Sequence, residues 1–92
     1  MSSNEYICGE RLSTLEYDKA VKDLLSIARR GEGVVVNMSK CHYISSSGIR
    51  ALMIVAKAIP QYGKGKFVLT NVNDNVMLIL EKVGFASVVK IE

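Results

Sequence analysis

The stretch Gly33-Val34-Val35-Val36-Asn37-Met38 constrains the fold more than any other part of the chain. Its three consecutive valines are stiff at χ1 and favour extended backbone. No polar residue alternates with them, so the pattern is that of a strand buried on both faces, as in a parallel sheet covered by helices. Parallel neighbours are joined by crossovers of a dozen or more residues, usually helices. The chain must therefore supply helices on both sides of this strand.

It does so. Ser13-Thr14-Leu15-Glu16 fits a capping box, with Ser13 as N-cap and Glu16 reaching back, and Leu12 and Tyr17 are placed as its hydrophobic staple. Tyr17, Ala20, Val21, Leu24, Leu25 and Ala28 follow at helical spacing, and Gly31 ends the helix. After the valine strand and a loop over Ser39 to Ser46, a second helix runs from Ser47 to about Ile59. Its apolar residues Ile49, Leu52, Met53, Val55, Ala56 and Ile59 cover most of the circumference, which predicts a largely buried helix. Pro60, Gly63 and Gly65 stop it, and Lys66 to Asn71 reads as another strand. Asn73 caps a third helix, Asp74 to Val83, with Gly84 just past its end. Ser87 to Ile91 makes a last strand, and Tyr6 to Cys8 allows a short first one.

The order βαβαβ from Gly33 onward, with one helix before it, predicts an α/β fold: a mostly parallel central sheet, three or more helices and right-handed crossovers. At 92 residues there is room for one domain, spanning 1–92 with residues 1–8 a short strand or disordered. The 49% hydrophobic and 23% charged residues are those of a folded chain. The twelve Lys and Arg behind the net charge of +3 are scattered, which argues against a nucleic-acid partner. The longest apolar stretch, Ala51 to Ile59, is interrupted by Lys57 and too short for a bilayer, so direct membrane insertion is not expected. The polar start, without the basic-then-apolar order of a secretory signal, leads us to expect a cytoplasmic protein. Cys8 and Cys41 are expected to be reduced and structural, and with His42 the sole histidine no metal or other cofactor is expected.

Parallel sheets place ligands and partners at the carboxyl ends of their strands, where loops lead into helix N-termini that attract anions. Here those loops are Lys40 to Ser46 and Asn71 to Asn73. The first ends in Ser45-Ser46-Ser47-Gly48. Serine caps helices and glycine allows close packing, so the turn has a structural explanation. Yet one cap needs one serine. The other hydroxyls lie where an added phosphate, carrying a charge of about −1.5 to −2, is electrostatically favoured. Enzymatic readings lack parts. Ser45 to Ser47 have no base except His42, which has no assigned orienting carboxylate, and the nucleophile elbow of hydrolases is absent. Cys41 and His42, as sequence neighbours on an extended segment, point apart. Gly63-Lys64-Gly65-Lys66 lacks the spacing and following helix of a phosphate loop. The chain is therefore not expected to be an enzyme.

Three stretches resemble the STAS domain, the fold of bacterial anti-sigma factor antagonists and of the cytosolic tails of sulfate transporters. Tyr43-Ile44-Ser45-Ser46-Ser47-Gly48-Ile49 is similar to the family signature of aromatic, hydrophobic, Asp, Ser, Ser, Gly, hydrophobic. Gly65 to Val72 resembles the family's glycine-led strand, Leu80-Glu81-Lys82-Val83-Gly84-Phe85 its closing helix and turn, and Gly9-Glu10 is weakly similar to its first-strand pair. The resemblance implies an anti-sigma factor antagonist that binds an anti-sigma factor serine kinase and is released when a loop serine is phosphorylated. By position that phosphoacceptor is Ser46, with Lys40, His42, Ser45, Ser47, Gly48 and Ile49 as the partner-binding surface. Two positions depart from the pattern: Ser45 stands for the signature aspartate, and Leu12, after Arg11, for an early acidic residue. The alternative is a STAS subunit of an ABC-type membrane transport complex that docks on its ATPase without phosphorylation. With at most one strand before the first helix, an exposed sheet edge is expected, through which copies could self-associate.

Overall fold

The computed structural model describes residues 4–92. Its elements are β1 (Glu5–Ile7), β2 (Arg11–Leu12), α1 (Tyr17–Ala28), β3 (Gly33–Asn37), β4 (Tyr43–Ile44), α2 (Ser46–Tyr62), β5 (Lys66–Thr70), α3 (Asp74–Lys82), a 3-10 turn (Phe85–Ser87) and β6 (Lys90–Ile91). Four strands form the main sheet in the order β1-β3-β5-β6, every neighbouring pair parallel, and β2 pairs with β4 in a second, two-stranded parallel sheet. The expected α/β architecture, with a parallel sheet and three helices, is the one observed. β1 and β6 are the edges, each two or three residues long.

The valine strand is central, as expected, but it is not buried on both faces. Val34 and Val36 are inaccessible while Val35 and Asn37 are half-buried, and β5 alternates in the same way, with Phe67 and Leu69 inside. The cause is topological. The strand order advances in one direction across the sheet, so right-handed crossovers place all three helices on the same face. One core results, in which Val34, Val36, Phe67 and Leu69 meet Leu24 and Ala28 of α1, Leu52, Val55 and Ile59 of α2, and Val76 and Leu80 of α3. The close start of the β3–β5 pair requires glycine: at Gly33, φ is +86° and a Cβ would stand 2.4 Å from the Lys66 carbonyl oxygen.

Several boundaries differ from the sequence reading. α1 starts at Tyr17 rather than near Ser13. Glu16 does reach back, but it accepts from both the Ser13 N–H (2.9 Å) and the Ser13 hydroxyl (2.6 Å), so Ser13 closes a turn ahead of the helix instead of capping it. α2 begins at Ser46 and passes through Pro60 to Tyr62, ending at Gly63. Pro60 lies on the exposed side of the last turns, where the loss of one N–H is tolerated. Two strands rather than one precede α1, and the loop expected over Ser39 to Ser46 contains β4. The last strand is cut to Lys90–Ile91 by the 3-10 turn at Phe85–Ser87, whose Phe85 side chain fills the core. Of residues 1–8, the first three lie outside the described residues, and β1 occupies Glu5–Ile7.

Candidate functional site

The segment between β3 and α2 is tied down at each step. Asn37 Oδ1 accepts from the Ser39 N–H (3.0 Å) and from Asn71 Nδ2 (3.2 Å), joining the two carboxyl-end loops that sequence reasoning singled out. The Cys41 N–H donates to the Met38 carbonyl, the His42 N–H to that of Glu10 and the Ser45 N–H to that of Leu12. Asn73 Nδ2 donates to the Cys41 carbonyl at 2.8 Å. β2 and β4 thus hold the chain up to the point where α2 begins.

The three serines at that point have three different environments. Ser45 is the N-cap: its backbone is extended (φ −101°, ψ 175°), its hydroxyl accepts from the Gly48 N–H at 3.3 Å, and its carbonyl accepts from the Ile49 N–H. Ser47 is half-buried and its hydroxyl shares a 3.0 Å hydrogen bond with Thr14 Oγ1, on the turn before α1. Ser46 is exposed, the first residue of α2, and among the described residues no side chain or backbone group engages its hydroxyl. The α2 first turn carries no acidic side chain, so nothing there opposes an anion on Ser46.

Gly48 is a correction to the expected partner surface. It is buried, and a Cβ there would stand 2.2 Å from the Leu12 carbonyl oxygen and 2.9 Å from Ile44 Cγ1. It serves the approach of α2 to β2 and presents nothing outward. Ile49 is half-buried, with its side chain packed against the core. Lys40 and His42 are exposed, but they precede β4, and among the described residues no hydrogen bond or ion pair joins either to Ser46.

Sequence reasoning missed a groove that begins at Ser46 and runs along α2, lined by Ile49, Arg50, Met53, Ile54 and Lys57. Ile54 is 37% exposed, so α2 is less buried than expected. The signal was available: Ser46, Arg50, Met53 and Lys57 recur at helical spacing and share one face. Thr14 gave no such signal, because its contact with Ser47 is long-range. Beside β4, the Arg11 guanidinium lies over the exposed Tyr43 ring, 5.1 Å from its centroid. Among the described residues no cluster of His, Cys, Asp or Glu could hold a metal ion, and no helix is long and apolar enough to cross a membrane.

Comparison with known proteins agrees with this architecture. The family model for the STAS domain matches residues 8–92. The fold is similar to the crystal structure of a candidate anti-sigma factor antagonist from Thermotoga maritima, with a TM-score of 0.81 and 18% identity, over 99% of this chain and 80% of that one. No curated protein sequence matches the chain at a significant level.

Proposed function

The chain belongs to the STAS-domain family, and we propose that it is an anti-sigma factor antagonist whose docking surface is switched by a phosphate on Ser46. In this reading the unphosphorylated chain binds an anti-sigma factor serine kinase in the cytoplasm through the α2 groove and the adjoining Lys40 and His42. The kinase transfers a phosphoryl group from ATP to Ser46 Oγ and is released. The chain contributes an acceptor hydroxyl and a surface, and no catalytic step of its own.

One observation carries the reading: of the three serines, only Ser46 offers a hydroxyl that is exposed and unengaged, at the first position of a helix without acidic residues. A phosphate there meets the positive end of α2 and free N–H groups of its first turn. It also puts about −1.5 to −2 charges at the mouth of a groove that otherwise presents Ile54, Met53, Arg50 and Lys57. A partner complementary to an apolar, cationic groove is repelled by that change. Ser45 takes over the capping role that an aspartate could fill, but supplies no carboxylate beside the acceptor. That absence favours a second reading, in which the same groove docks without phosphorylation on the ATPase of a membrane transport complex.

The test is binding of wild type, Ser46→Ala and Ser46→Asp to the anti-sigma factor kinase of the same source, with co-purification from cells as its companion. We expect Ser46→Ala to bind as wild type does and Ser46→Asp to bind at least tenfold more weakly. Equal binding of all three, with a transporter ATPase as the co-purifying protein, would replace the first reading by the second.

A further inference from the structure

We infer that Cys8 and Cys41 are the two halves of a reversible disulfide, formed on oxidation beneath the segment that leads to the serine turn. The backbone brings them together. The Cys8 N–H donates to the Asn37 carbonyl at 3.0 Å, which extends the β1–β3 ladder one step and sets Cys8 beside Met38. The Cys41 N–H donates to the Met38 carbonyl at 3.0 Å, folding Cys41 back over the same residue. Next along, the His42 N–H donates to the Glu10 carbonyl at 2.9 Å. Both cysteines are thus held by backbone hydrogen bonds to the Asn37–Met38 segment, and the inferred disulfide needs a Cα separation of about 4.4–6.8 Å. Both thiols are free, both lie in the same buried cluster, and each shifts the titration of the other.

The pair is polarised. The neighbouring Cys8 thiol holds the Cys41 thiol down, to about 7, against the opposing effect of burial, and the Cys41 S–H donates to the Tyr43 carbonyl at 3.4 Å. The Cys41 thiol, and after it burial, pushes the Cys8 thiol up. A cavity of about 240 Å³ between α1 and the β1–β2 link, lined by Tyr6, Cys8, Arg11, Glu16 and Lys19, has room for a small peroxide and opens onto Cys8, with Cys41 fully buried.

With hydrogen peroxide as oxidant, the Cys41 thiolate attacks one peroxide oxygen. The O–O bond breaks, and the departing hydroxide takes up the proton that Cys41 released, forming water. The Cys8 sulfur then attacks the Cys41 sulfenic sulfur. An S–S bond forms, the S–O bond breaks, and hydroxide leaves with the Cys8 proton as a second water. Two thiols are oxidised and one peroxide is reduced. Because Cys41 is bonded through its carbonyl to the α3 cap Asn73, the covalent tie would fix the β3–α2 segment to both β1 and α3. The inference is independent of any partner of Ser46.

The test titrates the reduced full chain with hydrogen peroxide and maps proteolytic peptides without reductant by mass spectrometry. We expect loss of both alkylatable thiols and a linked Cys8–Cys41 peptide pair lighter by two hydrogens. Dithiothreitol should restore both thiols, and Cys8→Ser or Cys41→Ser should give no intramolecular link. The wild-type result stands even if a variant misfolds. Both thiols remaining alkylatable in excess peroxide, or products confined to sulfinic acid or intermolecular links, would overturn the inference.

Discussion

α2 and α3 begin alike and differ in what they leave open. Each follows a strand of the same parallel sheet and is capped by a polar residue in extended backbone: Ser45 accepts from the Gly48 N–H, and Asn73 from the Val76 N–H. At α3 everything is used. Asn73 accepts at 2.9 Å and donates to the Cys41 carbonyl, Asp74 supplies a negative charge in the first turn, and Val76 fills the core. At α2 the cap bond is longer, the first turn has no acid, glycine replaces the core side chain, and the Ser46 hydroxyl is unengaged. The positive end of α3 is thus compensated from within, whereas that of α2 is left for a group from outside. The proposed phosphate would supply the compensation that the α2 N-terminus lacks.

The comparison breaks most visibly at the third residue after each cap. Gly48→Val should destabilise by about 3 kcal/mol or more, because the new side chain must displace backbone at Leu12. Val76→Ala should cost about 2 kcal/mol through a cavity. Urea denaturation of the two variants measures both, and a smaller loss for Gly48→Val would refute the close approach of α2 to β2.

The caps come next. Asn73→Ala should cost about 1–2 kcal/mol, since it removes the cap and leaves the Cys41 carbonyl without its donor. Ser45→Ala, with one bond of 3.3 Å, should cost about 0.5–1 kcal/mol. The order of the two thermal midpoints checks this.

Charge at the first helical position gives a smaller effect. Ser46→Asp should stabilise by about 0.3–1 kcal/mol at low salt and lose that gain as salt is raised, while Asp74→Asn should destabilise by a similar amount. Ser46→Ala should stay within about 0.5 kcal/mol of wild type. Denaturation at two salt concentrations measures all three.

The smallest effect concerns pH. The Ser13 hydroxyl, and after it the Ser13 N–H, hold the Glu16 carboxyl below its usual range. Its contribution to stability is therefore complete above the ordinary glutamate pKa of about 4.3 and disappears as pH falls through the lower folded value. The difference between wild type and Glu16→Gln should be present at neutral pH and shrink in acid, as read by unfolding at each pH.

What the sequence disclosed and what it hid follow from range. The valine run, the Asn73 cap and the glycine that closes α3 are local patterns, and the fold class follows from their order. The burial of β3 on one face only depends on strand order, which no local pattern encodes. β2 and β4 are two residues each and exist because they pair with one another, so neither had a periodicity to detect. At the site, the serine turn was legible as a helix start, but not which hydroxyl stays open. That is settled by Thr14, on a different turn, which engages Ser47. The α2 groove was legible from helical spacing and was obscured by reading that helix as largely buried.

The central claim is that Ser46, and neither of its neighbours, accepts the phosphate. Incubation of the full chain with an anti-sigma factor serine kinase of the same source and ATP, followed by phosphopeptide mapping, tests it directly. The account predicts one phosphate on Ser46 and none on Ser46→Ala. Phosphate on Ser45 or Ser47, or an unmodified chain in the presence of an active kinase, would contradict it.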